Sequence, residues 1–461
     1  MVSAPTLTAA RRTPGHRHRA DLAVLAVEVA LLAVAVGVGF VLNRRGVGLY
    51  ADAAPLYATW RPHLGWGTPA ALLVAVAVLG WGARWARTAH WGALLAAGWL
   101  ASVAWTLSLA LVDGWSAGLA RRLTAQAEYL TEVPRVTDIP AMLAGFASRI
   151  LDFQPDSWST HTAGHPPGAL LLFVWLDRVG LGGGAVAGLA CVLVGATVAI
   201  SVPVTLRALG APDAARSVVP FLVLLPGAVW MGASGDALFA AVVAAGLALL
   251  AVRGPTAAAL GGVLLGFALY LSYGFVLVGV LALAVLVLRP AARLRALLAG
   301  GAGVLAVAAA FTLAGFHWWE GYRLVVERYY QGWAAERPYA YWVWANLAAL
   351  LLSAGPVVGP ALRRAVVSAV GGARAGWRRA ALATAVRDAG PAVVLPLAAA
   401  VAIAAADLSG LSKAEVERIW LPFAVWLLAA AALLPAGARR WWLAGQAATA
   451  LAVNHLLWTV S

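Results

Sequence analysis

Charge is scarce in this chain. Only 11% of its 461 residues are Asp, Glu, Lys or Arg, against roughly 25% in an ordinary soluble domain. Cysteine is scarcer still: Cys191 stands alone inside an apolar run, which excludes an intramolecular disulfide and any cysteine-based metal site and leaves the redox compartment unread. Acids are outnumbered, 19 against 33 Lys and Arg, for a net charge of +14. In a soluble protein that balance would raise the question of nucleic acid. A small-residue cleavage site of the A-x-A kind is missing after the apolar run from Leu22 to Leu42, so that run reads as a retained first span and not as a removed signal peptide.

Apolar length is what the chain has in plenty, with 62% hydrophobic residues. A bilayer core about 30 Å thick needs roughly 20 helical residues. Apolar runs near that length, bounded by charge or Gly/Pro, fall at 22–42, 69–83, 92–112, 182–206, 217–234, 236–252, 256–273, 274–288, 296–316, 341–358, 390–406, 419–436 and 441–459. The expected fold is therefore all-α, a polytopic transmembrane bundle of thirteen spans. Three parts are expected: 1–91, a cytoplasmic N-terminus with an extra hairpin; 92–316, a core with a long outer loop at 113–166; and 317–461, an aromatic outer loop with the C-terminal helices.

Orientation follows from the arginines, because translocated loops carry few of them. With the N-terminus cytoplasmic, 20 arginines fall on one side, among them Arg11, Arg12, Arg84, Arg87, Arg216, Arg289, Arg363, Arg364, Arg378, Arg379 and Arg439, with Asp21, Asp213 and Asp388 as the acids there. The other side holds 15 acids and 13 basic residues. The excess positive charge is thus assigned to the cytoplasmic face of a multi-pass cell-membrane protein, and no nucleic acid is needed to explain it. The segment 166–178 is apolar but too short to cross; letting it span would turn the basic segments 289–295 and 363–387 outward, so it is expected to lie in or dip into the outer leaflet.

Three outer loops are long enough to build a site. The first, 113–166, carries Asp113, Glu128, His161 and His165 and ends in His165-Pro166-Pro167-Gly168. The second, 317–340, is dense in aromatics and holds Arg323, Arg328 and Arg337; the third, 407–420, leads through Arg418 into Leu421-Pro422. Asp113 ends a span, which puts its carboxylate at the interface, half shielded from water, where a general base for an acceptor hydroxyl would sit. It also simply ends a helix. His165 precedes two prolines that stiffen its backbone, and His161, four residues upstream, is not expected on a helix, so a two-histidine zinc site is discounted. A divalent cation held by carboxylates stays open. The aromatic loop suits sugar stacking or a phosphate clamp, and equally the interfacial anchoring common to Trp and Tyr. Arg418, against the following span, needs a partner there, and a phosphate would be one. Asp52 in the first outer hairpin is a further interfacial carboxylate.

Four patterns together resemble the GT-C superfamily of membrane glycosyltransferases: a span ending at Asp113 that opens a long loop; the His165-Pro-Pro-Gly closing it; Pro226-Gly-Ala-Val-Trp230 followed by Ser234-Gly-Asp236-Ala-Leu-Phe239; and Glu417-Arg418-Ile-Trp-Leu-Pro422. The resemblance covers about 92 to 436. It implies an inverting transferase that moves a sugar, mannose being the commonest guess, from a polyprenyl-phosphate donor to an extracytoplasmic glycan, lipid or protein acceptor. Asp113 would be the base, with Glu128 and Asp52 as alternatives; His161, His165, Asp236, Arg323, Arg328 and Arg418 would contact substrate. Two extra spans precede the core, the closely spaced acidic pair is missing, and Gly168 replaces a common Leu. The rival readings are a transporter or flippase for a polar or lipid-linked envelope precursor, which should show broken helices near the midplane, and a scaffold without catalysis.

Overall fold

The computed structural model describes residues 14–376 and 382–459, so Arg11, Arg12, Arg378 and Arg379 lie outside the described residues. It is a bundle of helices with one small antiparallel sheet. In lipid a backbone amide or carbonyl has no water to bond, and a helix satisfies both within its own segment.

In chain order the main helices are α1 (Pro14–Arg44), α2 (Thr68–Thr88) and α3 (Trp91–Ala110), α4 (Pro167–Arg178), α5 (Gly184–Ala208), α6 (Pro212–Val223), α7 (Gly235–Ala251), α8 (Pro255–Ala268), α9 (Tyr273–Leu288) and α10 (Arg293–Leu313). After these come α11 (Trp318–Gln331), α12 (Tyr339–Ala354), α13 (Val358–Gly376), α14 (Pro391–Leu408), α15 (Leu421–Leu433) and α16 (Arg439–Leu456). Among the described residues six helices, α1, α2, α3, α5, α10 and α14, are long and apolar enough to cross a membrane. The chain is a membrane protein of the all-α class.

The thirteen apolar runs do not map onto thirteen such helices. The run 217–234 is split by Pro226-Gly227 into α6 and a short turn of helix at Ala228–Met231. Run 341–358 leads into a bend of 102° between α12 and the start of α13. Several others, α7, α8, α9 and α15, are apolar but under 18 residues. Apolar run length reports burial in lipid or in protein, and it does not report where a helix breaks. The segment expected to lie in the outer leaflet is α4, 12 residues or about 18 Å long; Leu170, Leu171, Phe173 and Val174 are buried against the rest of the protein.

Glycine sets the tightest contacts. A Cβ on Gly262 would sit 1.9 Å from the Gly300 carbonyl oxygen, and one on Gly303 would sit 2.3 Å from that of Ala259, so α8 and α10 meet backbone to backbone, as small residues allow in membranes. The two helix breaks cap one another. Ser353 near the end of α12 accepts from the Gly227 amide at 2.6 Å, Gln446 of α16 donates to the Ala354 carbonyl at 2.9 Å, and the first turn of α13 is capped by Glu28 of α1, which accepts from the Gly359 amide at 2.7 Å. Orphan groups at helix ends thereby find partners inside the bundle.

One end of the bundle shows a repeated device, arginines bonded to the last carbonyls of helices. Arg216 donates to Ala86 and Ala89 at the end of α2, Arg289 to Val252 after α7, Arg387 to Val287 in α9, and Arg439 to Ala432 and Leu434 around the end of α15. A cation at a helix C-terminus meets the negative end of the dipole. Asp21 of α1 is buried at this end, bonded by Arg363 and Arg364 of α13.

At the other end the loops gather. Strand β1 (Ala58–Trp60) pairs antiparallel with β2 (Leu457–Thr459), joining the segment after α1 to the segment after α16. Arg178 holds the loop 113–166 by donating to Val136 and Thr137, and Glu132 accepts from Ser159 and Arg135 within it.

Candidate functional site

Asp113 lies just past α3, followed by Gly114 at φ +84°. The segment 61–67 is laid over the end of that helix. Its register comes from the sheet, extended by the Arg61 amide to Leu456 and the His63 amide to His455, and its closeness comes from glycine: a Cβ on Gly65 would be 1.9 Å from the Val112 oxygen and one on Gly67 2.1 Å from that of Ser108. This delivers His63 to Asp113, with Nε2 at 2.7 Å from Oδ1 and Nδ1 at 2.7 Å from the Arg61 carbonyl. Both ring nitrogens face oxygen, so His63 donates Nδ1–H to the carbonyl and meets the carboxyl through Nε2. Oδ2 of Asp113 faces Arg122 at 3.4 Å, and Arg122 also donates to Thr459 of β2.

A second array lies beside it, within electrostatic reach of Arg122. Its centre is Arg418, which is buried. Nη1 donates to Asp236 Oδ2 at 3.0 Å, and Nη2 to Glu415 Oε2 at 2.8 Å and His161 Nε2 at 3.1 Å. Because the guanidinium can only donate, His161 must accept at Nε2 and carry its proton on Nδ1, which it gives to Glu128 Oε1 at 2.8 Å. The roles of the two ring nitrogens are thus assigned from their partners. Asp236 sits in the first turn of α7, whose N-cap is Ser234, where the helix dipole favours negative charge. Glu415 is shared with Arg337 at 3.4 Å, and Arg337 is anchored on the carbonyls of Leu49 and Lys413.

The electrostatics follow from burial and neighbours. Burial opposes the charge of Glu415, but Arg418 and Arg337 outweigh it and hold the carboxyl down at about 2. Burial likewise opposes Glu128, and the His161 ring and Arg418 bring it below the usual carboxylate range. His165 is pushed down by burial; its Nδ1–H lies between the His161 carbonyl at 2.8 Å and the Tyr129 hydroxyl at 3.1 Å, leaving Nε2 as an acceptor. Tyr129 is raised by burial and stacked on Phe173. Glu417 is the exception: fully buried, with neither carboxylate oxygen in good hydrogen-bond geometry although its own amide and that of Tyr57 lie near. Burial pushes it up to about 7.

Of the residues singled out in the sequence, Glu128, His161, Asp236 and Arg418 come together in one hydrogen-bonded chain, and His165 touches its edge through His161. Asp113 stands in the adjoining array. Arg418 has carboxylates as its partners, where a phosphate was expected. His161 does lie on a short helix, Thr160–Gly164, contrary to expectation, yet its ring and that of His165 face different partners. Arg328 pairs with Asp152 at 2.9 Å and Arg323 is exposed; neither joins the Arg418 array, and the arginine of that loop that does is Arg337. Asp52 is exposed, within electrostatic reach of Tyr57.

His63, Arg122 and Glu415 were not singled out. No spacing marks His63, which arrives by strand pairing with the far end of the chain, whereas Glu415, three residues before Arg418, had a local signal in the helical i,i+3 spacing. Among the described residues no group of three or more His, Cys, Asp or Glu is placed to hold a metal ion. No protein-family model, curated protein or solved structure matches the chain.

Proposed function

We propose that the loop face faces outward from the cytoplasm and carries out group transfer at the membrane surface: an inverting glycosyltransferase that takes a sugar from a polyprenyl-phosphate donor. The observation that carries this reading is the pair of carboxylate–imidazole contacts, Asp113–His63 and Glu128–His161, set in two adjoining, largely shielded ionic arrays at the ends of membrane helices. Asp113 acts as base. Its Oδ2, held only loosely by Arg122, takes the proton of the acceptor hydroxyl as that oxygen bonds to the anomeric carbon and the bond from that carbon to the lipid phosphate oxygen breaks. The leaving phosphate takes the electron pair, and guanidinium N–H donors of the array, Arg418 Nε among them, hydrogen-bond to its oxygens. Glu128 and His161 orient Arg418, and Asp236 holds it at the start of α7. The acceptor is a glycan, lipid or protein outside the cytoplasm. Orientation rests on the arginines that cap helix ends on the opposite face, in keeping with their retention in the cytoplasm.

A second reading has its own observation. The bend of 102° between α12 and α13, capped by Glu28 and Gln446, is the broken-helix geometry that transporters use near the midplane. Here the half-helix ends are already bonded by side chains of the bundle, which favours a structural break.

The deciding experiment incubates purified protein with a panel of polyprenyl-phosphate hexoses and pentoses and a crude envelope acceptor, wild type beside Asp113→Asn. Release of polyprenyl phosphate by wild type, reduced about 10²- to 10⁴-fold in the variant, is expected. Equal release by both would move the base to Glu128, and no release from any donor by folded protein would leave transport as the better reading.

A further inference from the structure

Away from the loop face, at the opposite end of the bundle, a cleft opens between α2, α6 and the start of α16. Arg87, Arg216 and Arg439 line it together with Ser217, and its wall is apolar, formed by Pro220 and Phe221 among others. The three arginines come from three different helices, and among the described residues none of them pairs with a carboxylate. Arg216 and Arg439 are held in place by the helix-end carbonyls described above, and Arg439 also donates to Ser217 at 2.8 Å. Neutral dipoles fix their positions without cancelling their charge. Arg87 lies close enough to Arg439 for the two charges to repel, is exposed, and makes no hydrogen bond among the described residues. More positive charge stands behind: the Trp91 ring carries Arg207 at 4.5 Å and Arg216 at 5.9 Å. Asp213, one turn before Arg216 on α6, forms no ion pair with it, and like charges gathered on such a frame repel until an anion joins them.

Beyond the transfer reaction, and independent of it, we propose that this cleft binds the phosphate group of an anionic lipid headgroup. Guanidinium groups suit phosphate because their paired donors match its oxygens. The neighbouring exposed Trp81 and Trp85 favour a lipid over a soluble phosphate ester, since aromatic rings of this kind mark the membrane interface.

The test places wild type, Arg87→Gln and the control Arg45→Gln in nanodiscs of phosphatidylcholine alone or of equal parts phosphatidylcholine and phosphatidylglycerol. It reads thermal unfolding, together with retained phosphatidylglycerol by native mass spectrometry. Arg87 makes no bond that the fold needs, so its variant keeps the fold. Phosphatidylglycerol is expected to raise the unfolding temperature of wild type and of Arg45→Gln, while Arg87→Gln retains the lipid about tenfold more weakly, the loss of one charge-assisted contact. A parallel arm adds glycerol phosphate to the phosphatidylcholine discs. Stabilisation there, lost in Arg87→Gln and with no added effect of phosphatidylglycerol, would show the phosphate site with a soluble ligand and overturn the lipid assignment. Equal responses of wild type and Arg87→Gln in both arms would overturn the proposal entirely.

Discussion

Neutralising Glu417 should change how stability depends on pH. In the folded protein burial lifts this carboxyl to about 7, while in the unfolded chain it ionises near its ordinary value of 4.5. Between those two values the folded state holds a proton that the unfolded state has lost, so stability falls as pH rises through the window and levels off above it. A displacement of that size corresponds to roughly 3 kcal/mol, at about 1.4 kcal/mol per unit. The burial that causes it is complete, so solvent screening does not reduce it. Two other groups titrate nearby. His165, lowered by burial, makes folding less favourable as pH falls below its unfolded value, and Glu415, held at about 2, contributes stability above 4.5 that is lost as pH falls toward 2. Comparing wild type with Glu417→Gln cancels both. Unfolding in detergent micelles across pH 4 to 8, followed by tryptophan fluorescence, should give similar stability for the two proteins at the acid end and a more stable variant at the alkaline end, by about 2–3 kcal/mol. Parallel curves for wild type and variant, or a variant less stable at pH 8, would refute the reasoning.

Three further outcomes follow from close contacts. Gly65→Ala drives a methyl group into the Val112 oxygen and should lift His63 from Asp113 and lower the melting temperature; polyprenyl-phosphate release by the folded variant should drop at least tenfold, and unchanged release would separate His63 from the chemistry. Arg418→Leu leaves buried Asp236 without its cation, while Glu415 keeps Arg337, a loss on the order of 3–5 kcal/mol; the folded yield in detergent should collapse, and adding Asp236→Asn should recover part of it. Gly355→Ala places a Cβ 1.7 Å from Gln446 Oε1 at a φ of +89°, so it should destabilise the protein in thermal unfolding, and Gln446→Ala should rescue it only in part because the backbone strain remains.

Much of the loop chemistry was legible because it is local. Asp236 follows its Ser234 cap by two residues in a pattern that the resemblance picked out, Arg418 sits immediately before an apolar run, and His161 and Glu128 share one outer loop. What joins them was not legible. Arg418 reaches Asp236 across 182 residues, and no periodicity in either segment records that meeting. The helix breaks escaped for a related reason: Pro226-Gly227 and Gly355 interrupt runs that remain apolar throughout, so hydropathy sees one segment where the backbone makes two. Arginine posed the opposite problem. Counting it by segment leads to an orientation, but the count cannot tell Arg216, which closes a helix end, from Arg87, which bonds to none.

The pairing of β1 with β2 also imposes an order in time. Residues 58–60 leave the ribosome some 400 residues before their partners 457–459, and until those partners arrive the segment that carries His63 lacks its bonds to Leu456 and His455. All the intervening helices are made and inserted first. The histidine contact of Asp113 is thus among the last parts of the protein to be completed, so a chain stalled or cut short during synthesis would carry most of its membrane helices with its proposed base still unset.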